Sequence, residues 1–201
     1  AEASFTVAQG ESSTYYVDAT NGNDENDGLT PETAFQSIDK LNTITFNPGD
    51  QILFKKGETF VGAFQPKGSG VEGYPIVIAS YGEEDAAKPV LKPGEAWQIP
   101  YLMSAGQTVL NPWVNHVIKF YNQEYWEVRD LELYDPDFEN VNQNTTNVYR
   151  SGICVSAENV GELEHFYFDN LVVHGFRGPG SNIGKTSGGI MMNVYRDPNK
   201  S

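Results

Sequence analysis

The sequence predicts an all-β chain in which short strands stack as the coils of a parallel solenoid, opened by one helix. Three observations carry this. From position 51 onward, runs rich in Val, Ile, Phe and Tyr alternate with Gly, Pro and Asn punctuation. A gap-free internal repeat aligns "WEVRDLEL" (Trp126 to Leu133) on "FYFDNLVV" (Phe166 to Val173). The runs before it align through Ile118, Ile153 and Ile190, with spacings of 35 and 37 residues. Turn pairs that would close antiparallel hairpins are scarce. Units of strand, turn, strand and long loop therefore stack as coils, each burying the apolar face of the last.

Taken in order, "STYYVDA" is a first short strand. "NGNDENDGLTPETAF" follows, acidic and rich in Asn, and leads into "PETAFQSIDKLNTI". There Ala34, Phe35, Ile38 and Leu41 share one helical face. Thr30 fits the N-cap, Pro31 the first helical position and Glu32 the positive end of the dipole, so a helix is expected. Asn47-Pro48-Gly49-Asp50 makes a turn. The strand runs after it are "QILFKK", "TFVGAF", "YPIVIASY", "HVIKFY", "YWEVRDLELY", "SGICVSA", "HFYFDNLVVHG" and "GGIMMNVY". Asp130 and Asn170 take equivalent places inside apolar runs, so a stack of coils would set them one above the other as a side-chain ladder at a bend.

Charge narrows the function classes. The chain of 201 residues carries 13 basic and 27 acidic residues, a formal charge of -14, with no Lys/Arg cluster along the sequence. Nucleic acid is therefore not an expected partner. Aromatic residues make up 12%, too many for a disordered acidic chain. Cys154 has no second cysteine to pair with and sits in an apolar run, where a small buried side chain is expected. No apolar segment is long enough to span a membrane.

Residues "YYVDATNGNDENDGLTPETAFQSIDKLN", "FNPGDQILFKKGETFVG", "GSGVEGYPIVIASYG" and "YWEVRDLELYD" together resemble the right-handed parallel β-helix family of the pectate-lyase-like kind. The likeness runs from Thr14 to Val194. It implies that the helix plugs the first coil and that the protein is a secreted or cell-surface carbohydrate-active one, its signal peptide removed. It does not separate hydrolases, lyases, epimerases and binding scaffolds. Residues 1–13 read as a flexible N-terminus and 14–201 as the cap and first coils of one domain. The third unit, "GGIMMNVYRDPNKS", stops where a counterpart of "WEVRDLEL" is expected, so the remainder of the same β-helix, or a capping partner, is expected there.

Polysaccharide or oligosaccharide is the expected ligand, bound along a groove. Two long loops, 92–116 and 134–150, carry Trp97, Tyr101, Trp113, Tyr134, Phe138 and Tyr149. Their rings can stack on sugar faces or simply pack the loops down; Trp97, Trp113, Tyr134 and Phe138 are the substrate-binding candidates. Hydrolysis needs two carboxyl groups flanking the bond, whereas β-elimination from a uronate needs a base and a cation. Loop-side candidates for such roles are Asp135, Asp137, Glu139, Arg150, His174, Arg177 and Lys185, with Asp137, Arg150, His174, Arg177 and Lys185 foremost. Hydrolysis is favoured because a charge of -14 repels long anionic glycans unless calcium or a basic patch intervenes. The alternatives are a lyase and a non-catalytic glycan-binding or adhesin-type β-helix.

No metal is required by this reading. The opening loop fails the helix-loop-helix calcium pattern, since Ala34 stands where a bidentate Glu is needed. Another calcium geometry through Asp24 and Asp27 stays open beside the plainer reading of a turn that bonds its own backbone. "GPGSNIGKTSGG" approaches a phosphate-binding loop, but Pro179 interrupts it and a β run follows.

Overall fold

The computed structural model describes residues 11–94, 97–98, 113–135, 148–176 and 188–196. Its strands are β1 (Thr14–Val17), β2 (Gln51–Lys55), β3 (Thr59–Val61), β4 (Ile76–Tyr81), β5 (Val90–Lys92), β6 (Trp97–Gln98) and β7 (Trp113–Tyr121). Then follow β8 (Trp126–Arg129), β9 (Glu132–Tyr134), β10 (Val148–Glu158), β11 (Phe166–Asp169), β12 (Val172–His174) and β13 (Gly188–Tyr195). They form three sheets, ordered β1-β2-β4-β8-β11, β3-β5-β9-β12 and β6-β7-β10-β13. From β4 onward the chain visits first, second and third sheet in turn, three times over. Every pairing between these strands is parallel except β6 with β7.

The register follows the internal repeat. Ile153 lies opposite both Ile118 and Ile190, and Phe166 lies opposite Trp126. Side chains that alternate along each strand therefore meet their own kind in the next coil, and the interior fills with like on like. Ile52, Ile78 and Val128 make one inward column, Phe60, Leu91 and Leu133 a second, and Ile118 and Ile153 a third. Phe46, Phe54, Phe64, Phe120 and Trp126 fill the centre with mostly edge-on ring contacts. Each such side chain contributes about 1.5–3 kcal/mol by burial. Strand β5, "VLK" between Pro89 and Pro93, is too short for the sequence pattern to show, yet Leu91 is fully buried.

The predicted helix is corrected to two separate turns. Thr30 does cap, accepting from the Thr33 N–H at 3.2 Å, but only a 3-10 turn over Pro31–Thr33 follows. Ala34 is extended (ψ 148), and Phe35 runs beside β1, its N–H donating to Tyr16 O and its carbonyl accepting from Asp18 N–H. A single α-turn, α1 (Ile38–Leu41), then starts on a Ser37 cap. The break arises because Asp24 Oδ1 takes the N–H groups of Gln36 and Ser37, which a continuous helix would use internally. Ala34, Phe35, Ile38 and Leu41 are buried all the same. Gly28 (φ 74) is required here, because a Cβ on it would lie 2.3 Å from the Phe35 ring.

Cys154 is buried and unpaired with any other cysteine, as expected. On the last strands the inward residues are less covered. Ile190, Met192 and Val194 of β13 are 43%, 62% and 84% exposed, whereas Ile153 and Val155, the register partners of Ile190 and Met192, are buried. No helix among the described residues is long and apolar enough to cross a membrane.

Candidate functional site

One corner of the molecule gathers the connections from the second sheet to the third. β5 leads to β7, β9 to β10 and β12 to β13. Because the strands on either side are neighbours in their sheets, the three connections begin and end one above another. Asp137, Phe138, Glu139, Arg177 and Lys185 fall in them and lie outside the described residues, as do Tyr101 and the "GSNIGKT" segment. Trp97 and Trp113 lie on β6 and β7, which pair antiparallel beside the same corner.

At the base of the corner, Asp135 follows β9 and Arg150 lies on β10. Their side chains form a buried ion pair, Nη1 to Oδ2 at 2.5 Å, with the residues 1% and 7% exposed. This pair joins the two ends of the segment 136–147. Arg150, a candidate for chemistry on substrate, has its guanidinium engaged by Asp135 here. Gly175 (φ 83) packs against the same point, its missing Cβ leaving room for the Asp135 carbonyl.

His174 and Tyr134 come together, as neighbouring rungs of the second sheet. Their rings stack at 4.4 Å and 10°. His174 Nε2 lies 2.8 Å from Glu132 Oε1. The Lys92 ammonium also lies over the Tyr134 ring, 5.6 Å from its centre. Tyr134, a substrate-binding candidate, thus packs against its neighbours in the same sheet. His174 is half-exposed and keeps an outward face.

A second polar pair escaped sequence reading. His116 Nδ1 lies 2.8 Å from Ser151 Oγ, both side chains buried on adjacent strands of the third sheet. Burial, with the Lys119 charge adding to it, pushes the His116 pKa down to about 4, so the ring is neutral at neutral pH. The signal was available: His116 and Ser151 each stand two residues before the repeat isoleucines Ile118 and Ile153. What hid them is that one polar residue in an apolar run looks like an ordinary strand position.

The metal candidates Asp24 and Asp27 lie away from this corner, in the N-terminal turn. Asp24 also accepts from Ser37 Oγ at 2.6 Å, and Asp27 Oδ1 accepts from Thr33 Oγ1 and Leu29 N–H. Burial would raise the Asp24 pKa, but the Ser37 hydroxyl and the two N–H donors outweigh it and hold it low. The Thr33 hydroxyl does the same for Asp27. These carboxylates are spent on closing a turn. No group of three His, Cys, Asp or Glu is gathered as a metal site among the described residues.

Comparison with known proteins gives the corner a context. No family model matches the chain. A lacto-N-biosidase from Bifidobacterium longum subsp. longum is 27% identical over 216 residues, covering 94% of this chain and 13% of that protein. Crystal structures of GH136 lacto-N-biosidase from Eubacterium ramulus match with TM-scores of 0.78 (selenomethionine derivative, 27% identity) and 0.77 (native protein, 26%). They cover 92% of this chain, and 31% and 30% of theirs. The chain thus spans less than a third of each of these lacto-N-biosidases, and over that span it shares the all-β fold of a carbohydrate-active enzyme.

Proposed function

We propose that this chain is part of a glycoside hydrolase of the lacto-N-biosidase kind, acting on an oligosaccharide held against the loop-bearing corner of a right-handed parallel β-helix. The observation that carries this is the likeness to lacto-N-biosidases over more than nine-tenths of the chain. The strand order supports it, since it starts three successive connections at one corner, beside strands that bear aromatic residues. The net charge of -14 supports hydrolysis of an uncharged oligosaccharide over elimination from an anionic polymer.

Hydrolysis requires one carboxyl as proton donor and a second to activate water or attack the sugar. Of the corner carboxylates described, Asp135 is bound to Arg150 and Glu132 to His174, so both serve as supports. We assign the reacting pair to Asp137 and to the part of such a protein that this chain does not span. On the same reading Ile190, Met192 and Val194 are covered by a further coil, and the protein works at the cell surface or outside the cell, where its glycan is met.

The test is product analysis. The protein carrying this chain is incubated with oligosaccharides that end in lacto-N-biose and with uronate-containing polymers. Release of the intact disaccharide with a saturated ring supports the reading. Unsaturated, ultraviolet-absorbing products would show a lyase, and binding without products would show a non-catalytic glycan binder.

A further inference from the structure

A second concave surface lies on the outer face of the third sheet, away from the loop-bearing corner. It is a groove of ≈ 400 Å³ lined by Asn42, Gln65, Pro66, Lys67, Lys119, Tyr121 and Gln123. That volume is within the range of about 300–1,000 Å³ typical of small-molecule sites. Phe64 bridges Ile118 in parallel, which brings the strand-like stretch Gln65–Lys67 beside the outward Lys119 and Tyr121 of β7. Lysines far apart in sequence thus come to share one groove.

The walls are fixed by their own bonds. Asn42 Nδ2 donates to Ala63 O at 2.8 Å while its Oδ1 accepts from Gln65 N–H at 2.8 Å. Gln123 accepts from Tyr121 N–H and donates to Pro66 O. Tyr121 donates its hydroxyl to Glu158 at 2.7 Å, which sets the ring angle and leaves the ring half-exposed. Lys119 lies over that ring at 5.6 Å. Asn42, Tyr121 and Gln123 are thus held in place, which lowers the ordering cost that a ligand meets.

Its charge runs against that of the molecule. The chain as a whole is at -14, yet no carboxylate lines this groove, and neither Lys67 nor Lys119 has a carboxylate within ion-pair distance among the described residues. Two ammonium groups, a planar amide on Gln65 and an exposed aromatic ring are the set that recognises a sugar bearing a carboxylate. The lysines meet the acid, the amide a hydroxyl, and the ring the apolar sugar edge.

We propose that this groove is an accessory binding site for an acidic sugar unit, such as a uronate or a sialic acid, separate from the corner where we place hydrolysis. Lys119 and Lys67 supply the charge recognition, and Tyr121 the apolar surface.

Binding, not turnover, tests this, so its failure and that of the hydrolase reading are separable. Saturation-transfer NMR and calorimetry on the protein carrying this chain, using glucuronate, N-acetylneuraminate and uncharged galactose as probes, should show saturable binding of at least one acid. That binding should weaken with added salt and exceed galactose binding. Lys119→Gln and Lys67→Gln should each weaken it roughly tenfold, the size of one charged hydrogen bond, while leaving the circular dichroism spectrum unchanged. Equal binding of galactose, no saturable binding of either acid, or unaltered affinity in both variants overturns the proposal. Binding of only one of the two acids supports it and identifies the source.

Discussion

Asp135 and Arg150 illustrate how a single residue changes meaning once its surroundings are known. In sequence each is a charged group next to a long loop. In the structure they neutralise one another at 7% exposure or less, and removing one leaves the other buried without its main countercharge. Arg150→Ala should therefore cost about 3–5 kcal/mol, while the apolar double replacement Asp135→Leu/Arg150→Met recovers most of that; urea unfolding midpoints of the three proteins measure both. His116 makes a second residue-scale prediction. With its pKa pushed down to about 4 by burial, it stays neutral at pH 5.5, and the imidazole ¹⁵N shifts should show a neutral ring there. The sign is that of a base depressed in the folded state. Stability is full above the ordinary histidine pKa of about 6.5 and declines as pH falls from there toward 4. Neither pairing is legible in the sequence, which shows which residues are polar and not which of them face inward.

At the scale of elements, the corners of the coils repeat as faithfully as the strands. Asn122 and Asn159 end β7 and β10, Tyr125 and His165 precede β8 and β11, and Asp130 and Asn170 divide β8 from β9 and β11 from β12. All six have φ between 49 and 57, and each corner is bonded or stacked to the next coil. Asn122 exchanges bonds with the Glu158 backbone, the Tyr125 and His165 rings lie 5.7 Å apart, and Asn170 donates to Asp130 at 2.6 Å. Left-handed backbone at a non-glycine costs roughly 1–2 kcal/mol, and these cross-coil contacts offset it. Asn170→Ala should thus destabilise by about 1–2 kcal/mol, and Asn170→Gly, which relieves the backbone but loses the bond, by less. Thermal unfolding of both variants decides the order. The ladder at Asp130 and Asn170 was legible because polar residues interrupt an apolar repeat. The other two corners fall at strand ends, where any residue type is unremarkable. The helix was misread for a related reason: the spacing of Ala34, Phe35, Ile38 and Leu41 reported burial correctly, but backbone donors taken by Asp24 and Tyr16 decided the conformation.

For the whole molecule, the N-terminal turn is fastened to the first coil through Asp18. Its carboxylate meets Lys55 Nζ at 2.6 Å and the Asn21 N–H at 2.7 Å, and it is 4% exposed. Burial would raise its pKa, but Lys55 and the Asn21 donors outweigh that and lower it to about 2. A carboxyl depressed in the folded state stabilises fully above its unfolded pKa of about 4, and that contribution is lost as pH falls toward 2. Asp18→Asn should therefore cost about 2 kcal/mol at pH 7 and almost nothing at pH 2, seen in unfolding curves collected across that interval. The sequence by itself determined the architecture: the repeat through Ile118, Ile153 and Ile190 sets a parallel register, because stacked coils are stable only when like inward residues coincide. Only the tertiary structure decided which polar residues work together. Asp135 meets Arg150 across one connection, while His116 with Ser151 and Lys67 with Lys119 are brought together by the stacking of neighbouring coils; none of these leaves a trace in local composition.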